Sequence, residues 1–226
     1  RVAYLIAQKR IDPHAILMIT FTNKAAAEMR ERIEKQIPIG ERLGFIGTFH
    51  SFCARLLRID GEKIGVDRNY NIFDETDQLH LVKIILKEKN VSKFTPSYYL
   101  NRISACKNQM ISSEKFPEIF ADYAAPETYK VYKDYQKELK ENNALDFDDL
   151  LIKGIELLTF KEEVRQKYQN KYRFFLVDEF QDTNLVQYQL TKLLAEKYKN
   201  ITVVGDFSQS IYSWRGADIG NLEKLQ

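Results

Sequence analysis

The chain has 226 residues, 44% hydrophobic and 29% charged, with 34 Lys+Arg against 32 Asp+Glu. Such a length and balance allow one large domain or two modest ones around a substantial core, and they exclude a global positive field, so any nucleic-acid site must be local. Cys53 and Cys106 form no CxxC pair, His14, His50 and His80 show no ligand spacing, and no run is apolar enough for a bilayer or a signal peptide; a disulfide framework, a zinc ribbon and a membrane anchor are disfavoured, and a cytoplasmic location is the default expectation.

Residues 1–10 read as the end of an amphipathic helix that stops near Asp12-Pro13, because proline disfavours helix in the residue before it. ILMIT (16–20) has the look of a short buried parallel strand, and residues 23–36 are rich in strong helix formers. FIGTF (45–49) reads as a second strand leading into a helix through Arg58, with Phe52, Leu56 and Leu57 on a half-buried face. From Asp74 to about Phe160 the pattern is nearly all helical, with Pro96 and Pro126 where first helical turns accept them. Strand signals return at RFFLVD (173–178) and ITVVGD (201–206), around a helical segment from Asn184 to about Tyr198. The expected class is therefore α/β, a sheet domain interrupted by a helical insertion. No repeat or flexible linker is present, so the insertion is expected to pack against its host.

In FFLVDEFQDTN (174–184) an apolar strand ends in Asp178 and Glu179. A buried parallel strand delivers such residues to the carboxyl edge of the sheet, where open α/β folds bind ligands. An Asp there can hold Mg²⁺ on the β- and γ-phosphates of a nucleotide, and a neighbouring Glu can polarise the attacking water. A bare apolar-DE string can equally end a strand in solvent.

DEFQDTN resembles the Walker B segment of superfamily 1 helicases, and VVGDFSQSIYSWRGAD (203–218) resembles the third motif of the UvrD/PcrA/Rep family. ITFTNKAAAEM (19–29) and GTFHSFCARLL (47–57) look like the same family's early DNA-contact motifs, in its order and spacing. The resemblance spans essentially the whole chain, although 74–160 matches mainly in layout and in ALDFDDLL (144–151). It implies a RecA-like P-loop NTPase parallel-sheet domain, at 1–50 and 165–226, with an inserted all-helical DNA-binding subdomain at 51–164.

Gln209 follows a strand and can hydrogen-bond a γ-phosphate or its water, while Tyr212 and Trp214 alternate on one side of an extended segment beside Arg215. Two rings on one face make a stacking platform that accepts any base, although paired aromatics are also ordinary core. Thr22 and Asn23 lie at a strand-to-helix turn, where they can cap the helix, hold a DNA phosphate with the backbone amides, or both. The resemblance places Phe21, Thr22 and Asn23 along a single strand, gives His50 a DNA contact, and makes Phe147 part of a base pocket with Trp214. Asp146, Asp148 and Asp149 read as structural first-turn acids. Ser208 departs from a position that is often acidic in the family.

A GxxxxGK[ST] loop would be needed to cradle the phosphates, and none of the nine glycines is followed by lysine. The expectation is that this loop lies upstream of Arg1 and that the second RecA-like domain follows beyond Gln226, which would leave the chain alone inactive as an ATPase. The parent is expected to use ATP and Mg²⁺, to move 3′ to 5′ on single-stranded DNA and to open single-strand/duplex junctions in repair or replication. Two alternatives stand beside it, the helicase part of an AddA/RecB-like helicase-nuclease and a non-enzymatic DNA-binding protein without a phosphate loop.

Overall fold

The computed structural model describes residues 1–37, 43–91, 93–206, 208 and 220–223. Helix α1 (Val2–Ala7) leads through a 3-10 turn, in which Asp12 accepts from the His14 amide, into strand β1 (Ile16–Thr20) and helix α2 (Asn23–Glu34). Strand β2 (Phe45–Thr48) and helix α3 (Phe49–Asp60) repeat the strand-to-helix unit. After β3 (Asn71–Phe73) come α4 (Glu75–Glu88), α5 (Pro96–Asn108), α6 (Phe116–Ile119) and α7 (Ala125–Glu141), then β4 (Ala144–Asp146) and α8 (Phe147–Phe160). The chain continues through α9 (Glu162–Lys171), β5 (Phe174–Val177), α10 (Leu185–Ala195), β6 (Ile201–Val203) and α11 (Gly220–Glu223).

Four strands form one parallel sheet in the order β2-β1-β5-β6. Alternation along the strands sends successive side chains to opposite faces. Leu17, Ile19, Phe175 and Val177 join a core with α3, α8, α9 and α10, while Ile16, Met18 and Ile46 join a second core with α1 and α2. Both faces are thus covered, which is why these strands read as nearly continuous apolar runs.

The insertion has a core of its own, built from Leu81, Val82 and Ile85 of α4, Tyr99 and Ile103 of α5, Phe116, and Val131, Tyr132 and Tyr135 of α7. Two features differ from the sequence expectation. Insertion residues are not all helical, because β3 and β4 pair in parallel, Asn71 with Ala144 and Phe73 with Asp146, and close the neck through which the chain leaves and re-enters the sheet domain. Three residues per strand are too few for alternation to register in a sequence. The other difference concerns α3, α8 and Val164, expected within 51–164, whose apolar residues belong to the core against the sheet. The insertion's separate core lies within residues 81–144.

Helices α3 and α8 approach closely at Gly154, where an added Cβ would lie 2.8 Å from Cys53 Sγ. Cys53 is fully buried, and burial pushes its thiol well up, so it packs rather than reacts. Gly154→Ala is expected to destabilise the chain by about 1–3 kcal/mol through overpacking, read as a lowered urea midpoint. An unchanged midpoint would mean that the two helices separate without cost.

Candidate functional site

Because all four strands are parallel and in register, their carboxyl ends meet at one edge. Thr20 pairs with Thr48, Ile19 with Val177, and Val177 with Val203. The segments that follow, Phe21–Asn23, Phe49–His50, Asp178–Asp182 and Val204–Asp206, therefore emerge side by side. That edge carries every sequence-predicted site residue of the sheet domain that the structure describes.

Asp178 continues β5, its amide bonded to the Ile19 carbonyl at 2.9 Å. Glu179 then turns the chain with φ 52° and ψ 42°, a left-handed conformation that costs a residue with a side chain about 1–3 kcal/mol and is characteristic of functional sites. A single 3-10 turn, Phe180–Asp182, follows. Burial and the neighbouring Glu179 charge raise the pKa of Asp178, and the same two causes raise that of Asp182. Asp182 Oδ1 and Thr20 Oγ1 are buried without a hydrogen-bond partner. Crowded carboxylates and orphaned oxygens at one edge are the environment that a cation relieves. Hard oxygen donors suit Mg²⁺, which binds through one or two carboxylates and completes its shell with phosphates and water. Among the described residues no group of three or more His, Cys, Asp or Glu is placed to hold a metal ion.

Gln181, within DEFQDTN, acquires a structural role from the fold. It is 3% exposed; its Nε2 donates to Glu179 Oε2 at 2.7 Å and its Oε1 accepts from the Asp206 amide at 3.1 Å. The Glu179 carboxylate is thereby tied to the turn after β6. Gly205 permits the approach, since a Cβ there would collide with Gln181 Oε1. Only the amide's two-ended chemistry hinted at this role in the sequence. Asp206 in turn accepts from the Ser208 amide at 3.0 Å. Gln209, Tyr212, Trp214 and Arg215 lie outside the described residues.

The remaining candidates fall at the same edge. Thr22 caps α2, accepting from the Ala25 amide at 3.0 Å, while Asn23 and Lys24 are exposed beside it. Phe21 meets Phe49 edge-on with centroids 6.5 Å apart. Thr48 and Ser51 form a reciprocal capping box at the start of α3. His50 follows, and burial lowers its pKa, which keeps the imidazole neutral near pH 7. Its ring meets Phe147 edge-on at 5.8 Å. Phe147, at the start of α8, is 44% exposed. Residues nearly a hundred positions apart thus form one surface feature.

Asp146 caps α8, accepting from the Asp149 amide at 2.8 Å, and receives Lys107 Nζ at 2.6 Å and the Tyr135 hydroxyl at 2.9 Å. Lys107, 1% exposed, also reaches Asp149 Oδ1 at 2.8 Å. These acids are structural, as expected.

The whole chain, residues 1–226, matches the family model described as UvrD/REP helicase N-terminal domain. The chain belongs to this family. It is 49% identical over 224 residues to the ATP-dependent DNA helicase PcrA of Bacillus subtilis strain 168, covering 98% of this chain and 30% of that protein. Identity is 46% over 224 residues to the PcrA proteins of Staphylococcus aureus strain Mu50 and Staphylococcus epidermidis strain ATCC 35984, at 98% of this chain and 31% of each relative. The chain therefore spans a little under a third of the length of these relatives. Its mixed α/β architecture with a parallel sheet is the one expected of a UvrD/REP N-terminal domain. No helix among the described residues is long and apolar enough to cross a membrane.

Proposed function

We propose that this UvrD/REP-family chain is part of an ATP-dependent DNA helicase that translocates 3′ to 5′ on single-stranded DNA and opens the duplex at single-strand/duplex junctions. The supporting observation is the shared sheet edge, where the Asp178–Glu179 pair, locked by Gln181, sits beside the row formed by Phe21, Thr22, His50 and Phe147. In this reading Asp178 holds Mg²⁺, which when bound neutralises charge on the β- and γ-phosphate oxygens of ATP. Glu179 orients the attacking water and takes its proton. Gln209 senses the γ-phosphate, and Tyr212, Trp214 and Arg215 extend the DNA track begun by Phe21, Thr22, Asn23, His50 and Phe147. We assign residues 1–70 and 147–226 to the motor and the intervening residues to the inserted subdomain, following the separate cores.

Single-stranded DNA should bind in preference to duplex in an anisotropy titration across salt concentrations. Phe147→Ala and Trp214→Ala should each weaken the single strand by about 1–3 kcal/mol, the worth of one stacked base. Unselective binding that salt abolishes, with both variants like the parent, would leave only phosphate attraction and would remove the track from this edge. Phe147, half-exposed beside His50, is the probe whose place at this edge the structure describes.

A further inference from the structure

Asn184 caps α10 immediately after the Asp178–Asp182 segment, and the cap commits its Oδ1 to the Gln187 amide at 2.9 Å. The Gln187 side chain returns the bond to the Asn184 amide at 3.1 Å, which fixes the Asn184 side chain in place. Its remaining donor, Nδ2, points to the inserted subdomain and gives a 2.5 Å bond to Asn108 Oδ1 on α5. Asn108 has no freedom to turn its amide over. Its Nδ2 faces three acceptors, the Ser104 carbonyl at 2.8 Å, Asp148 Oδ1 at 3.1 Å and Ser104 Oγ at 3.3 Å, so only its oxygen can meet Asn184. Asp148 is held further by the Ser104 hydroxyl at 2.6 Å, and it is the residue next to Phe147.

A continuous path of oriented amides therefore runs from the carboxylate segment, through Asn184 and Asn108, to Asp148 and the backbone that carries Phe147. The carboxylate segment is held on its other side as well, because the buried Asn221 of α11 donates to the Thr183 carbonyl at 2.9 Å. The packing core does not need the Asn108–Asn184 bond: α8 and α10 already meet through apolar residues, and Lys107 already anchors α5 to Asp146 and Asp149. What the bond adds is register between a turn that would respond to the γ-phosphate and an aromatic that would stack on a base.

We propose that Asn108 and Asn184 are positioning residues that couple the nucleotide edge to Phe147, so that they set how strongly DNA accelerates ATP hydrolysis. This rests on the function proposed above. The amide pair works as a unit because each member's second polar atom is already committed, and removing either donor or acceptor breaks the same link.

The test uses the complete helicase chain, with Asn184→Asp, Asn108→Ala and the double variant. Asn184→Asp keeps the cap acceptor of α10 and replaces the donor to Asn108 with a carboxylate oxygen. Hydrolysis is measured without DNA and at saturating single-stranded DNA, with melting temperature alongside. Coupling between two sites is typically worth 5–150-fold, and the expected result is a fall of about tenfold in the DNA-stimulated to DNA-free ratio. DNA-free hydrolysis should stay within about twofold, and the double variant should be no worse than either single, as for residues acting as one unit. An unchanged ratio in Asn184→Asp, or losses that multiply in the double variant, would overturn the proposal. A purely structural role would lower both rates and the melting temperature together, and that outcome also rejects it. If the parent chain hydrolyses ATP with no response to DNA, the helicase reading itself has failed, which is a different result from unaltered variants of a DNA-stimulated parent.

Discussion

Glu179→Gln is expected to lower ATP hydrolysis by the complete helicase chain by about 10²- to 10⁴-fold, the usual contribution of a positioned proton acceptor. The substitution is nearly isosteric. Gln at this position keeps an oxygen for Gln181 Nε2, whose bond to Glu179 is 2.7 Å, and the left-handed turn makes no demand that Glu meets and Gln does not. The fold and the 3-10 turn should persist, ATP affinity should stay within a few-fold, and the loss should fall almost wholly on kcat. Steady-state hydrolysis with a parallel nucleotide-binding titration separates the two. A variant that retains hydrolysis within tenfold of the parent would take the proton-accepting role away from Glu179. Equal loss of nucleotide affinity and kcat would instead point to a ground-state binding role.

The largest expected effect on stability comes from Lys107. Lys107→Met leaves Asp146 and Asp149, 2% and 3% exposed, facing one another without a counter-ion, and stripping one partner from a buried ion cluster costs about 3–5 kcal/mol. Chemical denaturation should show that loss, and Asp149→Asn in the same background should recover part of it by removing one of the two stranded charges. Full stability in Lys107→Met would mean that the cluster sheds its stranded charge, by protonation of Asp149 or by entry of water.

The cluster also leaves a pH signature. Burial, against the opposing pull of Lys107, pushes the Asp149 carboxyl from 3.8 up to about 6. A carboxylate whose folded pKa is raised binds more protons folded than unfolded between those values, so its contribution is present below pH 3.8 and is lost as pH rises through about 6. Asp146 runs the other way. Burial alone would raise it, but the Lys107 charge and the bonds from Lys107, the Asp149 amide and Tyr135 hold it below its usual value, so its contribution is present at higher pH and is lost as pH falls. Asp149→Asn should remove the loss of stability between about pH 4 and 6 and leave the acid-side loss in place. Urea titrations at several pH values read both slopes; an identical profile in the variant would mean that Asp149 titrates normally.

Much of this molecule was legible before any coordinates. ILMIT at 16–20 and FFLV within RFFLVD read as strands because each is a short apolar run bounded by turn formers, and the Asp178-Glu179 pair that follows FFLV belongs at the carboxyl edge of a parallel sheet. Thr22 announced a helix start through a side chain that can satisfy a free amide, and Thr48 and Asn184 cap their helices in the same way. Local rules act over a few residues, and these features are local. The pairing of β3 with β4 brings together residues some seventy positions apart in strands of three residues, which leave no periodic trace. Helices α3 and α8 carry apolar faces that would serve equally for the insertion or for the sheet, and only the packed core assigned them to the sheet. Gln181, Asn108 and Lys107 look like ordinary surface-forming polar residues in the sequence. Their roles depend on which groups face them after folding: Gln181 on Glu179 and the Asp206 amide, Asn108 on Asn184 and Asp148, and Lys107 on two buried carboxylates. The residue types and their local periods by themselves determined the sheet strands, several helix starts and the placing of two carboxylates at the end of β5. Tertiary structure decided which distant polar groups share a buried space, because the strength of a charge or an amide contact is set by its partners and by the exclusion of water, and neither is a property of a segment alone.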